Sequence, residues 1–179
     1  MEKENTGKAE IVLENIMTRT SIRSYLEKPV EDSKIRYILQ AAMAAPSAKN
    51  LQPWSFVVIR SKESLNALAD ALPYAKMLPK ADVAIVVCGD ISKSLPIEGY
   101  WAQDASAVSQ NILLAAHALG LGAVWTGVYP RSERIIPVRE ILDLPEDIIP
   151  LNVIPIGYPA KDYTPRNKWD ESKIHYEKW

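Results

Sequence analysis

Between Glu98 and Leu119, apolar residues recur at helical spacing (Trp101, Ala105, Val108, Ile112, Ala115, Ala116 and Leu119), and Gly120 and Gly122 stop the run. A helix this long, with so broad an apolar face, has to be covered by other elements, so it is expected to be the spine of the core. The stretch Asp82 to Gly89 is almost wholly apolar and reads as a strand buried on both faces. A helix and a strand of these kinds require a layered arrangement of helices on a sheet, and a chain of 179 residues has room for one such domain.

The rest of the chain alternates in the same way. Residues 10 to 18 read as a short helix with Ile11 and Ile16 on its apolar face. Lys28-Pro29-Val30 breaks the chain, and Glu31-Asp32-Ser33 opens a second helix that runs to about Ala45, its acids placed where the helix dipole favours them. Ser55 to Arg60 reads as a strand, Lys62 to Ala71 as a helix, Ala123 to Tyr129 as a strand, Ser132 to Ile141 as a helix and Leu151 to Ile156 as a strand. On pattern alone this alternation suggests a parallel, doubly wound sheet, although periodicity does not fix strand direction. The tail from Gly157 to Trp179 holds many charges and five of the fourteen aromatics, Tyr158, Tyr163, Trp169, Tyr176 and Trp179. Disordered tails are poor in aromatics, so this one is expected to be ordered by packing, with a partner subunit as one surface available to it.

Composition bounds the function. The net charge is −1, from 21 basic and 22 acidic residues, so nothing draws the whole molecule to nucleic acid or an anionic membrane. The first ten residues carry both signs of charge and lack the apolar core of a secretory signal. No apolar run approaches the roughly 20 residues that span a bilayer. Cys88 is the single cysteine and lies in the buried strand, so it reads as a structural thiol, and a reducing cytoplasm is the expected compartment. The glycine patterns of a Rossmann site, a P-loop and a nucleophile elbow are all missing. His117 and His175 lack metal-ligand spacing; His117 is expected to find a backbone or water partner within the long helix. Glu98 and Asp104 are six apart, off a common helical face, and read as structural.

Four segments carry chemistry. Arg19-Thr20-Ser21-Ile22-Arg23-Ser24-Tyr25 packs two guanidiniums and three aliphatic hydroxyls into seven residues, a density suited to a phosphate. Pro46-Ser47-Ala48-Lys49-Asn50-Leu51-Gln52-Pro53-Trp54 is a polar loop stiffened by its prolines, with directed groups on Ser47, Asn50 and Gln52 that suit a planar ring with imide edges. Gly120 to Gly127 is rich in glycine around Trp125-Thr126-Gly127. Ile156-Gly157-Tyr158-Pro159 is followed by Arg166 and Lys168.

These four segments, in this order, resemble the nitroreductase family of FMN-dependent oxidoreductases, and the resemblance spans nearly the whole chain. It implies an α+β fold: a mixed, largely antiparallel sheet covered by helices, with residues 157–179 of a single 1–179 domain crossing to the other subunit of a homodimer. It implies that Arg19 and Ser21, with Thr20 beside them, hold the FMN phosphate, and that Arg23 reaches the pyrimidine edge, where the reduced ring accumulates charge. Pro46, Ser47 and Asn50 would approach the flavin from the second subunit. Ala48 stands where the family usually has a second small hydroxyl residue. Trp125, Thr126 and Gly127 would let the backbone approach the ring, and Arg166 or Lys168 would complete the phosphate site.

The activity implied is hydride transfer from NADH or NADPH to non-covalent FMN, then reduction of an acceptor such as a nitroaromatic or quinone by ping-pong kinetics, with no side chain acting as nucleophile. Flavin fragmentation, dehalogenation and reduction of unsaturated bonds are rival chemistries of the same fold. An FMN sensor or store without turnover is an alternative of a different class, and a flavin-free structural protein is a third.

Overall fold

The computed structural model describes residues 2–95 and 99–179. Its elements follow in the order α1 (Glu2–Thr18), α2 (Asp32–Met43), β1 (Trp54–Ile59), α3 (Lys62–Ala71), β2 (Val83–Asp90), α4 (Tyr100–Ala118), β3 (Gly122–Ala123), β4 (Thr126–Gly127), α5 (Ser132–Leu142) and β5 (Ile148–Gly157). The sheet runs β1-β2-β5-β3, with β4 also paired to β5. Every ladder is antiparallel, so the parallel sheet suggested by alternation alone is corrected. The one parallel contact is an isolated bridge between Ser21 and Ala123.

The sheet is buried on both faces, and the period-two geometry of β2 explains how. Val83, Ile85 and Val87 join Ile154 and Ile156 on one face, against α2 and α4 through Ile38, Ala42, Val108 and Ile112. Ala84, Val86 and Cys88 join Val153 on the other, against Leu65, Leu68 and Val138 of α3 and α5. The register between β2 and β5 shifts between Val87 and Cys88. Ile112 is fully buried, and truncating such a side chain to alanine typically costs about 2–5 kcal/mol. Cys88 is fully buried too, and burial pushes its thiol up to about 12. At Gly89 a Cβ would run into the Trp101 ring, so this glycine is what lets α4 lie down on β2.

Several expected boundaries shift. α1 begins well before residue 10. The expected strand from Ala123 to Tyr129 is broken into β3 and β4, each two residues long and paired to a different part of β5. The start of the long helix at Glu98 falls outside the described residues, and α4 begins at Tyr100. From Ala160 onward every residue but Tyr163 is exposed. Tyr163 packs with Ile22 and Tyr25, whereas Trp169, Tyr176 and Trp179 stay largely exposed, Trp179 stacking only on His175. Ile11, Val12, Leu13, Ile16 and Met17 of α1 are exposed as well. Among the described residues no helix is long and apolar enough to cross a membrane.

Candidate functional site

Three of the four sequence segments converge at the C-terminal end of α4. α1 docks there when Asn15 Nδ2 donates to the Leu114 carbonyl at 3.2 Å. The Thr18 hydroxyl donates to the Glu14 carbonyl at 2.6 Å, so its oxygen is left to accept from His117 Nε2 at 2.9 Å, which fixes the tautomer of His117. The partner of His117 is thus a side chain and not the backbone or water group expected. Burial, and then the neighbouring Arg19, hold its pKa below the ordinary histidine value.

The chain beyond α1 then crosses the edge of the sheet. Ile22 N donates to the Ala123 carbonyl at 3.0 Å, Leu26 N to the Tyr158 carbonyl at 2.9 Å, and Ala160 N to the Ser24 carbonyl at 3.0 Å. Two glycines permit this crossing: a Cβ on Gly122 would strike Ile22, and one on Gly157 would crowd the Tyr25 ring. Tyr25 is buried, its hydroxyl donates to the Ile22 carbonyl at 2.7 Å, and burial pushes its pKa upward. Tyr158 anchors the far side, donating to Glu31 at 2.7 Å and accepting from Lys34 Nζ at 2.9 Å. That hydrogen bond from Tyr158 is the main reason the Glu31 carboxyl lies below its usual range.

This arrangement gathers cations. Arg166 and Lys168 line a groove of 560 Å³ together with Ile16, Met17 and Thr18. Thr18 also lines a neighbouring cleft of 290 Å³ with Thr20, His117, Lys161 and Tyr163. Thr18 thus borders both cavities, and Arg19 follows it in the chain without lining either one. Among the described residues, Arg19, Arg23, Arg166 and Lys168 form no ion pair. Arg166 and Lys168, unpaired beside Thr18, are groups that an anion could use, although Asp162 lines the neighbouring cleft with Lys161. Arg23 is exposed and Ser21 half-buried.

Along β5 from this cluster lies β4. Ala123 pairs with Ile156 and Gly127 with Asn152, a four-residue step of about 13 Å at 3.3 Å per residue. Thr126 is buried, while Trp125 and Gly127, on either side of it, look the other way. Only Trp125 Nε1, at 3.8 Å, would come within 4 Å of a Cβ on Gly127, so the backbone here is open to close approach by a flat ligand. Arg134, which sequence reasoning missed, pins this peptide by donating to the Gly127 carbonyl at 3.1 Å. An extended molecule with an anion at one end and a ring at the other matches that spacing.

The fourth segment is elsewhere. The loop Pro46–Gln52 sits at the N-terminal end of α4, where Ala48 N donates to Asp104 Oδ1 at 3.0 Å. Asp104 and His117 are thirteen residues apart on α4, about 20 Å at 1.5 Å per residue. Within one chain Pro46, Ser47 and Asn50 are therefore not brought to the cation cluster. The loop is tightly made: Lys49 (φ 50°), Asn50 (φ 55°) and Gln52 (φ 51°) are all left-handed without being glycine, which costs of order 1–3 kcal/mol each. Gln52 N donates to Ser47 Oγ at 3.0 Å and Gln52 Nε2 to Asn50 Oδ1 at 3.2 Å. These bonds use acceptors and leave the Ser47 hydroxyl proton and the Asn50 amide hydrogens free. The loop thus presents donors, as a ring with carbonyl edges requires. Asp104 had read as merely structural; Glu98 lies outside the described residues.

Known proteins resemble this chain along nearly its whole length. The sequence model of the nitroreductase family matches residues 16–76 and 69–158. A Methanothermobacter thermautotrophicus protein, provisionally named NADH dehydrogenase/NAD(P)H nitroreductase, is 51% identical over 94% of this chain and 87% of its own length. The crystal structure of a Bacteroides thetaiotaomicron protein under the same provisional name is 52% identical, covers 94% of this chain and 98% of that one, and has a TM-score of 0.91. A provisionally named nitroreductase from Desulfovibrio desulfuricans, crystallised with FMN, is 34% identical over 94% of this chain and 97% of that one, with a TM-score of 0.80.

Proposed function

The chain belongs to the nitroreductase family, and from that premise we propose that it is a homodimeric, FMN-dependent oxidoreductase using NADH or NADPH to reduce an acceptor such as a nitroaromatic or a quinone. The observation that carries this reading is that unpaired Arg166 and Lys168 share a groove with Thr18, the residue just before Arg19, while the backbone at Gly127 is open on one face.

The residues present fit FMN. Arg19, Thr20, Ser21 and either Arg166 or Lys168 would hold the phosphate; Gly127 leaves room for the ring, with Trp125 and Thr126 shaping that strand. Arg23 would lie by the pyrimidine edge, where a cation favours the charge that appears on reduction. Pro46, Ser47 and Asn50 would come from the second chain, which the distance between the loop and this chain's own cluster supports. FMN held there would supply the redox chemistry that links the nucleotide to the acceptor. The protein's share is to grip the anion, hold the backbone open and leave one face for donor and acceptor in turn. The exposed apolar residues of α1, of which Ile16 and Met17 share a groove with Trp169, and the exposed aromatics of the tail are the surfaces a second copy would cover. The buried single cysteine suits a reducing cytoplasm.

The test is spectroscopic. The purified chain, supplied with FMN, is expected to carry flavin absorbance that bleaches anaerobically with NADH or NADPH and returns with an acceptor. Initial rates against both substrates are expected to give parallel double-reciprocal lines. A protein that takes up no flavin sinks the whole reading. One that binds flavin but is reduced by neither nucleotide is a sensor or store, and intersecting lines rule out the shared face.

A further inference from the structure

The Pro46–Gln52 loop is bound to the rest of the molecule by very little. Its internal bonds, Gln52 N to Ser47 Oγ, Asn50 N to the Ser47 carbonyl and Leu51 N to the Ala48 carbonyl, stitch it to itself. Among the described residues, two hydrogen bonds tie residues 46–52 to neighbouring elements: Trp54 N, at the start of β1, donates to the Gln52 carbonyl at 2.8 Å, and Ala48 N donates to Asp104, the one such bond that reaches α4. Asp104 itself is only 8% exposed, yet it forms no ion pair and receives no other hydrogen bond among the described residues. A carboxylate this buried is expensive unless it serves a donor. Three left-handed residues outside glycine persist only where surrounding structure dictates the loop's shape.

We propose that Asp104 is a positioning residue for the flavin ring: it holds the Ala48 amide and thereby keeps the Ser47 hydroxyl and Asn50 amide aimed at the ring's carbonyl edges in the partner's site. This rests on the flavin reading above. The bond is charge-assisted, and an N–H held by a carboxylate is about twice as strongly held as one held by a neutral oxygen. The residue touches neither ring nor phosphate, so its loss is felt through the loop alone. That sets a signature distinct from the cation cluster. Riboflavin and FMN share the ring but not the phosphate, so removing the Asp104 anchor must weaken both by the same factor.

The experiment compares the parent with Asp104→Ala and Asp104→Asn, all as the full chain. In flavin-free protein, trypsin cleavage after exposed Lys49 reports release of the loop; in titrations, quenching of flavin fluorescence reports affinity for FMN and for riboflavin. Asp104→Ala is expected to be cut on the order of tenfold faster and to lose on the order of tenfold in affinity for both ligands. Asp104→Asn keeps an acceptor oxygen and should fall between, and it carries the comparison if the alanine variant does not fold. Unchanged cleavage, unchanged affinity, a loss confined to FMN, or an asparagine variant as impaired as the alanine one would each overturn the proposal. Should the parent bind neither flavin, the flavin reading fails instead, and the cleavage rates still decide whether Asp104 holds the loop.

Discussion

At the C-terminal end of α4 the groups that line the two cavities come from distant parts of the sequence, among them Thr18, Thr20, His117, Lys161, Arg166 and Lys168, and most can carry charge. At its N-terminal end the candidate groups come from one loop, Pro46–Gln52, in which the side chains of Ser47, Asn50 and Gln52 are neutral, Ser47 accepting from the Gln52 backbone and Asn50 from the Gln52 amide. The first end is suited to gripping by unpaired charge and tolerates loose geometry. The second is suited to orienting by shape, and its strained backbone is the cost of that. On the proposed function, affinity for an anion and orientation of a ring would be divided between two places that one chain holds about 20 Å apart.

The harshest way to break this division is to remove one end of it. Truncation after Tyr163 deletes Arg166 and Lys168 together with Trp169, Tyr176 and Trp179, and is expected to yield monomer or aggregate that retains no FMN. Size-exclusion chromatography with absorbance at the flavin band checks it; a truncated protein that stays dimeric and yellow contradicts the assignment of the tail. Next in size, Arg19→Ala should weaken FMN by about 2–4 kcal/mol, the usual loss when one partner of a buried charge pair is removed. Riboflavin affinity should stay as it was. Arg166→Ala should do the same, and the double variant should lose less than the sum, since both grip one phosphate.

Ser47→Ala sharpens the contrast from the other end. It should cost about 1 kcal/mol for FMN and riboflavin alike, and the effect should barely change with salt, whereas the Arg19 effect should shrink as salt rises. Arg23→Gln should lower the midpoint potential by about 20 to 40 mV, the equivalent of 1–2 kcal/mol for a two-electron couple, while affinity hardly moves. Spectroelectrochemical titration reads it, and lost affinity with an unchanged potential would move Arg23 to the phosphate.

The smallest effect expected is on acid stability. The His117 pKa in the folded chain lies below its unfolded value, so its neutral form contributes stability that is full above about pH 6.5 and lost as pH falls toward the folded pKa. Melting temperatures between pH 7 and 5 should therefore decline less for His117→Gln than for the parent. Equal slopes would show that the Thr18–His117 pair contributes nothing to this loss.

What could be read from sequence followed the range of the interactions involved. Periodicity located α4 and β2 because a helix face and a two-sided strand are local patterns with many residues voting. Strand direction was not local, and alternation pointed to a parallel sheet; only the family resemblance gave the antiparallel one. The break between β3 and β4 was hidden because Val124 and Trp125 are as apolar as a strand requires. Contiguous motifs were legible as site material, but their anchors were not: Thr18 with His117, Ala48 with Asp104 and Gly127 with Arg134 are single contacts with no repeating signal. The aromatic tail announced a need for cover without saying where the cover is.

Cys88 has a practical consequence for anyone who wants to watch the two ends of α4 move. It is the only cysteine, it lies fully buried in β2, and its thiol is pushed up to about 12. At neutral pH such a group offers maleimides and iodoacetamides almost no thiolate. The native chain is therefore nearly blank to thiol-directed dyes and spin labels, with no background mutation needed. A single cysteine introduced at exposed Lys49 or Trp169 would carry the only reporter, and pairing two such labels across copies would turn loop-to-tail distances into a direct optical or magnetic readout of assembly.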